Sequence, residues 1–325
     1  ETAVSAFECV ASLGSDTGGS VRNPASFCSV VGYKPTYGLI SRYGLISYSN
    51  SIEQIGPLTR TVKDTAFMLN LISGLDSNDN TTINNQDQDY LSGIDSGIEG
   101  KKIGIIKEML GDGTSAEVLS ATKEAILRME SLGAICEEVS LDMVKYSVAA
   151  YYTITATEAG SNLARYDNLR YGYDFSVEGY EFNSYITKAR QKFGPEVSRR
   201  IIIGGFVPSS GQAGRYFLKA LKVKSKLTRE ISETFKKFDL LIAPTVPVLP
   251  FKKGEKIDDP IALFQVDVNT VTANLTGRPS ISVPFAISNG LPIGMQLIAD
   301  SNQDKLLLQA ARALEQTVTL PEVQI

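Results

Sequence analysis

The sequence has 325 residues, of which 43% are hydrophobic and 8% aromatic, and it contains no histidine. Its 32 basic and 36 acidic residues give a net charge of −4 without any block of basic residues, which argues against strong direct binding of RNA or DNA by this chain alone. The sequence contains no apolar run long enough to predict a transmembrane helix. Its three widely spaced cysteines are typical of reduced thiols in the cytoplasm or, alternatively, in the mitochondrial matrix.

Helices are predicted where apolar residues recur with a period of 3.6 residues. This pattern occurs between residues 64 and 74, between 114 and 132, at 221–238 and at 305–315, and residues 1–6 resemble the middle of a helix. Thr114 or Ser115 is the predicted N-cap of the third helix, and Gly74 ends the second.

Strands are predicted at residues 102–107 and 240–243, which are short apolar runs of the buried kind. Residues 281–287 and 291–298 flank Asn289-Gly290, a strong signal for a β-hairpin. Helices alternating with strands predict one α/β domain over residues 1–325, with a mixed, mostly parallel central sheet covered by helices on both faces. The polar residues 76–89 are interpreted as a surface loop.

A glycine-rich loop is the most informative motif: Gly14-Ser15-Asp16-Thr17-Gly18-Gly19-Ser20. Adjacent glycines allow successive backbone N–H groups to turn toward one point, where they can stabilise a developing oxyanion. Ser20 at the end of this run is then a candidate nucleophile. The alternative interpretation is a turn in which Ser20 is the N-cap of the next helix. Asp16 and Arg22 are close enough in sequence to form an ion pair that supports the loop.

The absence of histidine restricts how a serine nucleophile could be activated. The proton would have to pass to a lysine, a carboxylate or a second serine acting as a relay. Lys34 follows the loop most closely in sequence and would be the first lysine to consider within this chain. Zinc sites are disfavoured because histidine is the commonest metal ligand and the cysteines are far apart, so no metal site is predicted.

Three motifs resemble the amidase signature family: Gly18-Gly19-Ser20-Val21-Arg22-Asn23-Pro24, then Gly32-Tyr33-Lys34-Pro35-Thr36-Tyr37-Gly38, then Gln54-Ile55-Gly56-Pro57. Three further runs are most similar to the subfamily formed by the A subunits of glutamyl-tRNA(Gln) amidotransferases: residues 41–44, residues 158–165 continuing to 170–172, and residues 196–201. The resemblance extends from Glu1 to about Ile298 and implies the amidase signature fold.

The resemblance also implies site residues. Ser20 corresponds to the nucleophile, and the backbone N–H groups of Thr17, Gly18, Gly19 and Ser20 correspond to the oxyanion hole. Family members use a Ser–Ser–Lys triad, and by resemblance its relay serine and its lysine would both precede Glu1. The chain is therefore expected to be N-terminally incomplete, and the alternative is a truncated, inactive scaffold subunit.

For the substrate, the resemblance implies glutamine. Arg200 corresponds to a residue that holds its α-carboxylate, Asp267 to one that holds its α-amino group, and Tyr151 to one that lines the same pocket. Without the family resemblance, the alternative interpretations are that Arg200 is a solvated surface residue and that Tyr151 belongs to the hydrophobic core. A glutaminase subunit that supplies ammonia for transamidation is therefore expected, and a stand-alone amidase is the alternative.

The expected partners are a kinase/transamidase B subunit, which would bind most of the tRNA, plus a small C-type subunit. The resemblance implies no cofactor in this subunit, while ATP and Mg²⁺ are expected in the partner. The product, Gln-tRNA or Asn-tRNA, stays open at this point.

Overall fold

The computed structural model describes residues 1–84, 89–173, 176, 178–209, 211–212, 214–255 and 266–319, and this part of the chain contains eight strands. They are β1 (Ala11–Asp16), β2 (Val31–Lys34), β3 (Gln54–Thr59), β4 (Lys102–Ile106), β5 (Ile135–Val139), β6 (Leu240–Pro244), β7 (Ser280–Ser288) and β8 (Leu291–Ala299). The strands form one sheet in the order β1-β3-β2-β7-β8-β6-β4-β5.

The sheet is mixed, as predicted, but the expectation that it is mostly parallel was wrong for the described strands. Only β4 pairs in parallel with its two neighbours, β5 and β6. The other adjacent pairs are antiparallel. The physical reason is connectivity, since parallel neighbours need a long crossover, and a strand–helix–strand unit joins adjacent strands only between β4 and β5.

The helices are α1 (Thr2–Ser5), α2 (Arg22–Phe27), α3 (Val62–Ile72), α4 (Ala116–Ser131), α5 (Ser147–Asn162), α6 (Phe182–Arg190), α7 (Pro195–Phe206), α8 (Phe217–Thr234), α9 (Val271–Thr276) and α10 (Asp304–Glu315). Short 3₁₀ turns lie at Lys107–Leu110, Val144–Tyr146 and Leu163–Arg165. The predicted N-cap of α4 is confirmed as Ser115, whose Oγ accepts a hydrogen bond from the Val118 N–H at 3.3 Å.

Helices pack on both faces of the sheet, as predicted. Along β2, Val31 and Tyr33 point to one face and join the main apolar core, which α3, α4 and α10 cover. Gly32 points to the other face, where a Cβ would lie 2.5 Å from the Cβ of Ala25 in α2. The first face therefore contains the large core, and the second places α2 and the loop before it directly on the sheet.

The hairpin predicted at Asn289-Gly290 is confirmed. It connects β7 and β8, and both turn residues have positive φ, 54° for Asn289 and 78° for Gly290. This is the type I′ geometry that matches the twist of the flanking strands.

The described chain divides into two compact units. Unit 1 comprises residues 1–45, 52–148 and 225–325 and contains the whole sheet; unit 2 comprises residues 46–51 and 149–224 and contains α6 and α7. Within unit 2, Gly204 of α7 lies against α5 so closely that a Cβ there would be 2.0 Å from the carbonyl oxygen of Ala156. No helix in the described part of the chain is both long and apolar enough to cross a membrane.

Candidate active site

Ser20 lies in the connection between the end of β1 and the start of α2. Its side chain is exposed, and its hydroxyl makes no hydrogen bond to any described residue. The N-cap of α2 is Val21, and no side chain caps this helix. Ser20 is thus not the helix cap that the alternative interpretation required, and its hydroxyl is accessible.

The loop before Ser20 presents backbone donors without acceptors. The N–H groups of Gly18, Gly19 and Ser20 donate no hydrogen bond within the described residues, although both glycines are buried. Such groups are rarely left unpaired in a folded protein, so an unpaired run is typical of a site that receives an anionic oxygen. Gly19 has φ of 135°, and a Cβ there would lie 2.3 Å from Thr270 Oγ1, so both its conformation and its packing require glycine.

Beneath the loop, Arg22 and Asp16 form the predicted ion pair, and both side chains are fully buried. Arg22 Nη2 donates to Asp16 Oδ1 at 2.9 Å and Nε donates to Oδ2 at 3.0 Å. Arg22 also donates to Asn274 Oδ1 and Gln296 Oε1, each at 2.6 Å, and to the Thr270 carbonyl at 3.1 Å. Burial acts to raise the pKa of Asp16, but Arg22 and Asn274 outweigh it, so the pKa lies below its usual value.

Asp267 lies in the same unit as Ser20, and it contacts helix α2, which follows Ser20 in the sequence. Asn23 Nδ2, in the first turn of α2, donates to Asp267 Oδ1 at 2.9 Å. The carbonyl of Asp267 accepts the N–H groups of Thr270 and Val271, at 3.0 and 3.1 Å, where α9 begins. Asp267 is partly exposed.

Arg200 and Tyr151 lie in unit 2, where polar groups surround the guanidinium of Arg200. Arg200 Nε donates to Glu196 Oε1 at 2.8 Å, and Nη1 donates to the Tyr48 hydroxyl at 3.1 Å. Burial acts to lower the pKa of Arg200, but Tyr48, Glu196 and Tyr151 outweigh it and keep the pKa above its usual value. Arg200 precedes Gly204 by four residues and thus shares the face of α7 that packs on α5, the helix of Tyr151.

Sequence reasoning missed Tyr48 and the contacts that hold its segment. The Tyr48 carbonyl accepts a hydrogen bond from Asn162 Nδ2 at 3.1 Å. Glu158 Oε2 accepts from Ser49 Oγ at 2.7 Å and from the Ser51 N–H at 3.1 Å. Glu158 and Asn162 both lie in α5, so they fix the residues 48–51 beside that helix. No spacing rule connects these positions, which are more than one hundred residues apart in sequence.

Lys34 is buried, with 1% of its surface exposed, and its Nζ donates to the Pro35 carbonyl at 2.9 Å. Burial, and after it the charge of Arg22, lowers the pKa of Lys34 to about 7, while Asp16 and Asp304 act in the opposite direction and Arg278 adds to the lowering. No hydrogen bond joins Lys34 to Ser20 in the described residues, so the structure gives no direct path by which this lysine would take the proton of Ser20.

The lowered pKa of Lys34 predicts a stability effect. In the unfolded chain the pKa is 10.5, so between about pH 7 and 10.5 the unfolded state binds more protons and the free energy of unfolding rises with pH. Relative to the wild type, a Lys34→Met variant should have a higher free energy of unfolding at about pH 6 than at about pH 10, by roughly 4 kcal/mol between the two pH values. Urea unfolding at both pH values measures it, with the exposed Lys236→Met as control; a gain independent of pH would contradict the prediction.

Comparisons with known proteins identify the family. The sequence profile of the family described as Amidase matches residues 2–308, so this chain belongs to the amidase family. Among its relatives, the glutamyl-tRNA(Gln) amidotransferase A subunit of Cenarchaeum symbiosum is 63% identical over 98% of this chain and 67% of its own length. The protein of the same name from Bacillus licheniformis is 46% identical, over 97% of this chain and 65% of its own length.

Solved structures confirm the fold. The crystal structure of the glutamyl-tRNA(Gln) amidotransferase A subunit from Thermotoga maritima has a TM-score of 0.80 and 44% identity, covering 97% of this chain and 64% of that one. A bacterial aryl acylamidase of the amidase signature family has a TM-score of 0.78 and 26% identity, covering 97% of this chain and 63% of that one. The chain thus spans about two thirds of the length of the relatives it matches.

Proposed function

We propose that this chain belongs to the glutaminase subunit of a tRNA-dependent amidotransferase, which hydrolyses glutamine and supplies ammonia for the transamidation of misacylated Glu-tRNA(Gln) or Asp-tRNA(Asn). The observation that carries the proposal is the exposed, unbonded Ser20 hydroxyl at the end of a run of unpaired backbone N–H groups. The names of the most similar relatives support the choice of subfamily.

In the proposed reaction, Ser20 Oγ attacks the side-chain amide carbon of glutamine. The carbonyl oxygen becomes an oxyanion, which the N–H groups of residues 17–20 stabilise; each donor of this kind contributes about 3 to 4 kcal/mol. The C–N bond then breaks, and the amide nitrogen takes up the proton that Ser20 lost and leaves as ammonia. Water then hydrolyses the γ-glutamyl ester of Ser20, which releases glutamate and restores the serine. The base is a lysine acting through a relay serine, as the resemblance to the amidase signature family implies.

Two charged side chains would recognise the rest of glutamine. Arg200 binds the α-carboxylate, because its planar guanidinium can donate two parallel hydrogen bonds, and its Nη2 has no hydrogen-bond partner among the described residues. Asp267 binds the α-ammonium group, and Tyr151 lines the pocket beside Arg200. The two charges that the family resemblance implies would suit a zwitterionic substrate better than an aryl amide.

The ammonia would be used by partner subunits. A kinase/transamidase B subunit would bind tRNA, ATP and Mg²⁺, and a small C-type subunit would complete the assembly. The net charge of −4 without a basic block supports the assignment of tRNA contacts to the partner.

The function is tested with the full protein and its partner subunits. We expect release of ammonia from L-glutamine and ATP-dependent amidation of Glu-tRNA(Gln) or Asp-tRNA(Asn). Hydrolysis of an aryl amide without turnover of glutamine would instead assign a stand-alone amidase. Failure to hydrolyse any amide, together with ammonia-dependent amidation, would assign an inactive scaffold subunit.

Arg200→Ala should raise the KM for glutamine by at least about thirtyfold with a smaller change in kcat, because loss of one partner of a charged contact costs about 2 to 5 kcal/mol in a desolvated site. Steady-state ammonia release measures it. Arg199→Ala is the matched control, since Arg199 is the preceding residue of α7 and also pairs with Glu196. Equal KM values for the two variants would show that Arg200 does not bind the substrate.

A further inference from the structure

Asn23 joins the nucleophile loop to Asp267. Its backbone N–H donates to the Gly19 carbonyl at 2.7 Å, and its side-chain Nδ2 donates to Asp267 Oδ1 at 2.9 Å. The side chain is buried, with 5% of the residue exposed. One residue thus contacts both the loop that carries Ser20 and the carboxylate assigned to the substrate amine.

In the side-chain amide of Asn23, the nitrogen has a hydrogen-bond partner and the oxygen has none among the described residues. This oxygen, Oδ1, is buried. Exchanging the oxygen and nitrogen would direct Oδ1 at the carboxylate oxygen of Asp267, which is repulsive, so the carboxylate determines the orientation. A buried acceptor without a partner destabilises the fold, and an apolar side chain of similar shape would avoid this cost. The donated hydrogen bond to Asp267 is therefore the feature that asparagine provides here.

Thr270 makes a second connection between the same two segments. Its Oγ1 donates to the Gly18 carbonyl at 2.6 Å, and its backbone N–H donates to the Asp267 carbonyl at 3.0 Å. The backbone of Asp267 is thus held relative to the loop independently of Asn23. Asn23 adds the contact that fixes one oxygen of the carboxylate itself.

We propose that Asn23 is a positioning residue that orients the carboxylate of Asp267 toward the amino group of the substrate, and that it selects amides carrying an α-ammonium group. The proposal rests on the proposed function, in which Asp267 binds that group. In this role Asn23 contacts neither the reacting carbonyl nor the ammonia.

The test compares two amides in the full protein: L-glutamine, and glutaramate, which is glutamine without its α-amino group. Asn23→Leu should raise the KM for glutamine about tenfold, leave its kcat within about twofold, and leave the KM for glutaramate nearly unchanged. Asn23→Asp should raise the KM for glutamine further, because a second carboxylate would face Asp267. Asn23→Ala gives the same comparison if the larger leucine is not accommodated beside Gly19 and Thr270.

Thermal unfolding separates positioning from a structural role. We expect Asn23→Leu to melt at or above the wild-type temperature, since it removes the unpaired buried Oδ1. A loss of kcat/KM of equal size for both amides, or a lower melting temperature with no change in selectivity, would overturn the proposal.

Asp267→Asn is the reference variant. If it lowers kcat/KM for glutamine but not for glutaramate, Asp267 binds the amino group, and the result for Asn23→Leu then decides the role of Asn23 alone. If Asp267→Asn affects both amides equally, the assignment of Asp267 in the proposed function is wrong and the role of Asn23 is wrong with it.

Discussion

Ser20→Ala should lower the rate of glutamine hydrolysis by more than a hundredfold, because loss of a covalent nucleophile typically costs far more than that. The fold should be unaffected, since the hydroxyl is exposed and makes no hydrogen bond to the described residues. Ammonia release by the full protein measures the rate, and the melting temperature checks the fold. Amidation driven by added ammonia should survive, because only the production of ammonia needs this serine.

The matched control is Ser15→Ala, an exposed serine on β1 five residues before Ser20. It removes the same group from the same segment and should retain glutaminase activity. A Ser20→Ala variant that keeps more than about one hundredth of the wild-type rate would show that Ser20 is not the nucleophile.

Arg22→Met should destabilise the protein by about 3 to 5 kcal/mol, because it leaves the carboxylate of Asp16 buried without its cation. The free energy of unfolding in urea measures this loss. The pKa of Asp16 is lowered below 3.8 in the folded state, so the pair stabilises the fold above about that pH and this contribution is lost as the pH falls through the folded pKa. Asp16→Asn removes the charge of the other partner while keeping the shape of its side chain, and it tests the same pair if Arg22→Met does not fold.

An exposed ion pair of similar length provides the control. Arg128 Nε lies 2.7 Å from Glu124 Oε1 on α4, with about half of each side chain exposed. Arg128→Met should cost less than about 1 kcal/mol, since solvent screens such pairs. If Arg22→Met and Arg128→Met lowered the free energy of unfolding equally, burial would not be the reason that the Asp16–Arg22 pair stabilises the fold.

Elements determined by local sequence could be predicted, and those determined by long-range pairing could not. The Asn289-Gly290 turn and the cap of α4 depend on a few adjacent residues, and both are confirmed. Strand β1 was not predicted because it is an edge strand that carries an exposed Leu13 and several glycine or serine positions in place of an apolar run. The direction of strand pairing depends on which strands become neighbours, which local patterns do not specify.

The same distinction holds for the candidate site. The ion pair between Asp16 and Arg22 could be predicted because the two residues are six positions apart. Three other kinds of contact could not be predicted, because each joins residues more than 150 positions apart. They are the hydrogen bonds from Arg22 to its other acceptors, the hydrogen bond from Asn23 to Asp267, and the hydrogen bond from Arg200 to Tyr48. Motif resemblance gave the candidate residues for chemistry, but only the fold shows which side chains hold them in place.

The contacts of Arg22 also determine when, during synthesis of the chain, the loop of Ser20 can reach its folded arrangement. Its acceptors Asn274 and Gln296 follow it by 252 and 274 residues, so a nascent chain that has not yet reached these positions leaves the guanidinium without them. Closing such long loops is entropically costly and slow, and contacts of this separation form after local ones. The loop of Ser20 therefore acquires these supporting contacts only after about 250 further residues have been synthesised. A ribosome stalled before residue 270 would hold a nucleophile segment without its supporting frame.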